Sequence, residues 1–269
     1  MAIGANNNIT SFSFANGSEN ISQGNFTTIN GYKNTSKKIL NLISGKSNFN
    51  DGNYNLVNGL SNTVNGDNNL VSGSNNVVTS DNSTILGDNI YAKNADHLTV
   101  LGNSINIADN RDNVIAIGNN SIVNGDKSVV IGSQNKAETE SVAIGINNES
   151  EGDNNVILGQ NNFVGCEESY TFGSTNITRG DNDYVLGKNN KVTGDNNFVA
   201  GSNQIIEGDG NTTISAKNKV RANNSIVIGE INKVYDNATH IGGDIHIQTH
   251  NTESKLQELI FVNLNDWCK

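Results

Sequence analysis

Basic residues are scarce in this sequence, 17 Lys and Arg against 27 Asp and Glu, which gives a net charge of −10 and an isoelectric point near 4.8. A nucleic-acid partner needs clustered cations to neutralise phosphates. Apart from Lys37 and Lys38 the basic residues are scattered, so that class is excluded. There are two cysteines, Cys166 and Cys268, far apart in unlike contexts; they form no disulfide framework and read as free thiols. Proline is absent, and aromatic residues make up 6% and apolar residues 34% of 269, thin for a single globular core. No apolar run approaches the roughly 20 residues that cross a bilayer as a helix, so no direct membrane insertion is expected. The N-terminus, MAIGANNNITSFSFANG, has neither a basic n-region nor an apolar h-region, and a secretory signal is not expected there. Either another export route or a segment of a longer protein fits. Cys-x-x-Cys, a phosphate-binding loop and a supported Ser/His/Asp order are missing too, so neither an enzyme nor a cofactor is expected.

What is abundant is Asn, Gly and Ser, a composition that can mean disorder unless it repeats. It repeats. Residues 187–201 read GKNNKVTGDNNFVAG, which after the first Gly is one seven-residue pattern written twice. The Gly that closes AIG, VIG or ILG recurs from Gly4 to Gly242 and delimits seventeen units, twelve of them 14 residues long. Ser215 stands in its place once. Units of 13 end at Gly17, Gly145 and Gly242, one of 15 at Gly102 and one of 16 at Gly118.

With the marker Gly as position 14, position 3 is Asn in thirteen of the seventeen units and position 7 is often Gly. Positions 5 and 12 are small or branched apolar residues, and position 10 is mostly Asn, Ser or Thr. A spacing of two is the strand period, so the polar residue at 3 or 10 and the apolar one at 5 or 12 share a face. Gly at 7 and 14 is expected to supply the positive φ of tight corners. Two short strands and two turns per unit predict one coil of a parallel β-solenoid, stacked at about 4.8 Å and joined by Asn ladders. The coils are assigned to residues 1–243 and a cap or short helix to 244–269.

If position 12 faces inward, positions 11 and 13 face outward. They are apolar at Val129, Ile131, Val142, Ile144, Val156, Leu158, Tyr170, Phe172, Tyr184, Leu186, Ile226 and Ile228. Outward positions of the other half-coil are more polar, as at Lys191, Thr193, Lys219 and Arg221. A long apolar stripe calls for a covering partner, and identical chains in a closed cyclic assembly are the simplest cover.

The units KSVVIG (127–132), ESVAIG (140–145), DNNVILG (153–159) and NNSIVIG (223–229) resemble the NSxAIG-type repeats of YadA-like heads in trimeric autotransporter adhesins. The resemblance runs over residues 1 to about 243. It implies a left-handed parallel β-roll, three chains around one axis, and attachment at a bacterial surface or on an extracellular fibre. Targets in that family are host matrix proteins, glycans or cell-surface receptors. The family's stalk and membrane anchor are not visible here, which keeps open a spacer without its own ligand, in a phage-tail or injection-device fibre.

Position 8 is acidic at Asp153, Glu167, Asp181, Asp195 and Asp209. The reading is a solvated turn residue with no bound metal; the alternative is Ca²⁺ relieving the repulsion of stacked carboxylates. His240 falls either inside the last coil or on the stripe, where copies from several chains, with His246 and His250, could chelate a metal. The long coils of 88–118 predict a bulge carrying Tyr91, His97 and Arg111. In the tail, Ser254 and Gln257 fit a capping box, with Leu256, Leu259, Ile260 and Leu264 at helical spacing after it.

Overall fold

The computed structural model describes residues 1–10, 12–235 and 237–243, and the backbone of 246–247. Every element among them is a β-strand, long strands of up to five residues alternating with short ones of two or three. The expected helix at 254–264, His250 and Cys268 lie outside the described residues. The chain divides into Met1–Asn154 and Asn155–Lys269. Each unit is a parallel β-solenoid, with about 17 turns in all. Within each unit the long strands form one parallel ladder and the short strands another, both in the register that the 14-residue period predicts. In the first unit Val129–Ser133 pairs with Val142–Ile146, setting Val130 beside Ala143 and Gly132 beside Gly145. In the second, Tyr170–Ser174 pairs with Tyr184–Lys188, Gly173 beside Gly187.

The core is two columns wide. Position 12 lines one wall (Ile29, Ile43, Val57 and Val71 in the first unit; Val185, Val199 and Val227 in the second), and position 5 lines the other with Val64, Val78, Val192 and Val220, all fully buried. Burying one such side chain stabilises by about 1.5–3 kcal/mol. Each unit holds its own cluster of these residues.

Polar side chains fill the corners of the interior, and there the Asn content is explained. Asn62 Nδ2 donates to Asn48 Oδ1 (3.0 Å) and to the Gly73 carbonyl (2.8 Å), while Asn62 Oδ1 accepts from both the Nδ2 (2.9 Å) and the backbone N–H (3.1 Å) of Asn76. Asn162, Asn176 and Asn190 repeat the pattern in the second unit. An amide has two donors and an acceptor with two lone pairs, so one residue type can link a coil to both its neighbours.

The corners correct one expectation. Gly at position 14 does take positive φ, 124° at Gly187, where a Cβ would also collide with the Gly201 carbonyl oxygen. Gly at position 7 mostly does not: Gly52 and Gly66 have ordinary φ and are required because a Cβ would strike the carbonyl of the next coil. The left-handed residues sit instead at positions 2 and 9, most often Asn, as at Asn75, Asn189, Asn68 and Asn196. Asn tolerates that conformation better than other side chains.

The long coils also differ from expectation. Tyr91 stays in the regular ladder, opposite Val77 and Asn106, and His97 occupies the ordinary left-handed corner. The inserted residues are near Ala95, which is buried, and Arg111, whose Nε is buried without a partner. Here Ile90, Ile105, Leu98 and Val114 replace the polar residues of positions 3 and 10 and are buried. These coils thus bury aliphatic side chains where most others bury polar ones, and the extra length adds Ala95 to the buried set.

Candidate functional site

Because side chains of a strand alternate faces, burying position 12 directs positions 11 and 13 away from the coil interior. In the first unit Val129, Ile131, Val142 and Ile144 flank buried Val130 and Ala143 and are themselves half-buried. In the second unit Val156, Leu158, Tyr170 and Phe172 are half-buried, while Tyr184, Leu186, Ile226 and Ile228 are exposed. Parallel in-register pairing stacks like on like: Val129 on Val142 and Ile131 on Ile144, Tyr170 on Tyr184 and Phe172 on Leu186. The Tyr170 and Tyr184 rings are stacked, 4.8 Å apart and 6° from parallel. All twelve residues therefore lie on the outward face of the long-strand ladder of their own unit.

The stripe has an end that sequence reasoning missed. Over the first five coils position 13 is polar: Asn16, Asn30, Ser44, Asn58 and Ser72. It becomes apolar at Leu86, which stacks on Ser72. In four of those coils a different column is apolar: Phe12, Phe26, Leu40 and Tyr54, at position 9, with φ between 57° and 61°. Each is exposed, Phe12 by 77%, and the Phe12 and Phe26 rings stack at 5.4 Å. Bulky side chains rarely adopt this conformation. The signal was present in the sequence as apolar residues 14 apart where later coils carry Asn68 and Asn82.

The acidic column at position 8 has a structural occupation. In the second unit the backbone N–H of Glu167 donates to Asp181 Oδ1, that of Asp181 to Asp195, and that of Asp195 to Asp209, each at 2.9 Å. In the first unit Asp153 accepts from the Thr139 N–H at 3.1 Å. The same unit holds a longer series that was not singled out from sequence. Asp67, Asp81, Asp96, Asp112 and Asp126 cap one another's backbone N–H groups at 2.7–2.9 Å, and the spacings of 15 and 16 hid it. Each of these aspartates from Asp81 to Asp126, with Asp153, Asp181, Asp195 and Asp209, thus caps a corner amide of the preceding coil, the role of a turn residue. Among the described residues no three His, Cys, Asp or Glu side chains are grouped to hold a metal ion.

His240 faces inward. It pairs in the ladder with Val227 and is buried, with Nε2 unpartnered, and burial lowers its pKa below the usual histidine value. It cannot join copies of itself on the stripe; the imidazole takes the place of an aliphatic core residue. His246 has its backbone in the short-strand ladder beside Lys233. Cys166 is a free thiol, half-buried, its pKa raised by burial and by Asp181, Asp195, Asp183 and Glu167. Ion pairs between coils, such as Arg221–Glu207 at 2.7 Å and Lys37–Asp51 at 3.1 Å, lie on the surface, where each contributes about 0–1 kcal/mol. No helix among the described residues is long and apolar enough to cross a membrane.

No curated protein matches the chain. A protein-family match covers residues 112–135, a stretch that includes the outward pairs Ile115–Ile117 and Val129–Ile131. The matching family is the YadA head domain repeat, in two copies, and the match is consistent with a YadA-like head.

Proposed function

We propose that the protein is a non-enzymatic adhesin head or fibre element, a homotrimer displayed at a bacterial cell surface or on an extracellular fibre. The observation that carries this reading is the outward apolar stripe, which in the second unit leaves Tyr184, Leu186, Ile226 and Ile228 exposed on a single chain. An exposed apolar stripe of that kind marks an interface, and a closed ring of identical chains covers it on every copy. The YadA-like repeat supports three as the number of chains and adhesion as the role. With three identical faces, attachment to a host matrix protein, glycan or cell-surface receptor is multivalent, and avidity rises without any single strong site.

The test is the absolute mass in solution, by light scattering after size exclusion. A trimer gives three times the 28.6 kDa of the chain. A mass of 28.6 kDa overturns the reading, because it leaves the stripe in water. Binding of the intact protein to immobilised matrix proteins and glycans then separates an adhesin from a spacer, which binds none of them.

A further inference from the structure

Position 10 carries a neutral polar or apolar residue in every described coil except one, where it is Asp183. The normal arrangement is plain in its neighbours. Asn155 Nδ2 donates to the Cys166 carbonyl at 2.6 Å and Asn211 Nδ2 to the Ala222 carbonyl at 2.7 Å, in each case eleven residues ahead. Asp183 is fully buried. Its Oδ1 accepts the Asn197 N–H at 2.8 Å and Asn197 Nδ2 at 3.1 Å, as an Asn Oδ1 would. Its Oδ2 has no hydrogen-bond partner.

That Oδ2 stands where a donor stands elsewhere. A Cβ placed on Gly180 would lie 3.0 Å from Asp183 Oδ2, and one on Gly52, at the same position of its coil, would lie 2.7 Å from Asn55 Nδ2. The carbonyl eleven residues ahead of Asp183 is that of Gly194, which already accepts Asn197 Nδ2 at 2.9 Å and keeps a second lone pair. An ionised Oδ2 would be an unpaired buried charge facing an acceptor, a costly arrangement; a protonated one reproduces the Asn pattern.

We propose that Asp183 is held as the neutral acid, with its Oδ2–H directed at the Gly194 carbonyl, making this coil a pH-sensitive lock that is closed in acid and loosens as the carboxyl ionises. The titratable groups around it reinforce the effect. Asp181 in the same turn and Asp195 on the following coil both disfavour a further negative charge. The Cys166 thiol and Glu167 on the preceding coil add no cation, and Arg179 lies over the Phe163 ring. Burial is the largest cause, and the carboxyl is raised from 3.8 to about 7.

The sign follows from linkage. Between those two values the unfolded chain has lost the proton and the folded one keeps it, so folding weakens about tenfold per pH unit. The loss begins above pH 3.8, is complete as pH passes about 7, and is flat beyond. The experiment compares the full-length wild type with Asp183→Asn by urea unfolding at fixed chain concentration, from pH 4 to 8.5. The expected result is a variant-to-wild-type ratio of folding constants that climbs roughly three-hundredfold between pH 4 and 7 and levels above that. A ratio that does not change with pH overturns the proposal. A second readout does not depend on the variant folding: infrared titration of the wild type should show a protonated carboxyl persisting at pH 6. A carboxyl population that is fully ionised by pH 5 overturns it equally.

Discussion

Replacing Asn62 by alanine removes one rung from the middle of a buried ladder, and the cost can be worked from the bonds. The side chain donates to Asn48 Oδ1 and to the Gly73 carbonyl and accepts Asn76 Nδ2. Three such bonds are worth about 1 kcal/mol each in net stability. The fourth partner is the backbone N–H of Asn76, which donates to Asn62 Oδ1. Left unpaired inside the coil, that group costs a further ~1–3 kcal/mol. The sum is about 4–6 kcal/mol, against a change within about 0.5 kcal/mol for Asn65→Ala, whose side chain is exposed on the neighbouring corner. Coil stacks can melt in part, so urea unfolding should be read together with native-state hydrogen exchange at Asn76. Its amide should lose protection in the variant while that of Asn34, two coils away, keeps it. If Asn62→Ala costs under about 1 kcal/mol, the ladder is a consequence of stacking and not one of its causes.

Three further outcomes follow from the geometry. Gly187→Ala places a Cβ at φ 124° against the Gly201 carbonyl and should destabilise by roughly 2–4 kcal/mol, seen as a lowered thermal midpoint. Leu40→Asn relieves a left-handed, exposed leucine and should stabilise by about 0.5–1 kcal/mol; a destabilised variant would show that Leu40 is held by something other than its own coil. Leu186→Glu introduces a charge into the stripe at an exposed position, so the single chain should keep its far-ultraviolet circular dichroism while light scattering reports loss of the proposed trimer.

The regularity of the chain made most of the coil legible. The 14-residue marker set the register, and the period of two assigned Val130, Val64 and Asn62 to the interior, because a strand that alternates faces leaves no other choice. The same rule placed Leu186 and Ile228 outside. Where the period broke, legibility failed. His240 lies in a 13-residue unit, and its face was decided by pairing with Val227. The aspartates from Asp67 to Asp126 escaped notice because two coils are longer than the rest. The split of roles between glycines also escaped notice. Sequence shows a Gly, but whether it serves φ, as at Gly187, or clearance from a neighbouring carbonyl, as at Gly52, depends on atoms fourteen residues away.

The sequence by itself determined the coil, its register and the identity of its inner and outer columns, since all of these are local consequences of a repeated pattern of polarity. Only the tertiary structure decided what the polar atoms do. It made the Asp column a row of backbone caps, turned His240 into the core, and left Asp183 Oδ2 without a partner. The physical reason is that hydrogen bonds here run between coils, joining residues 14 apart. A donor's partner is therefore fixed by stacking, not by its neighbours in the chain.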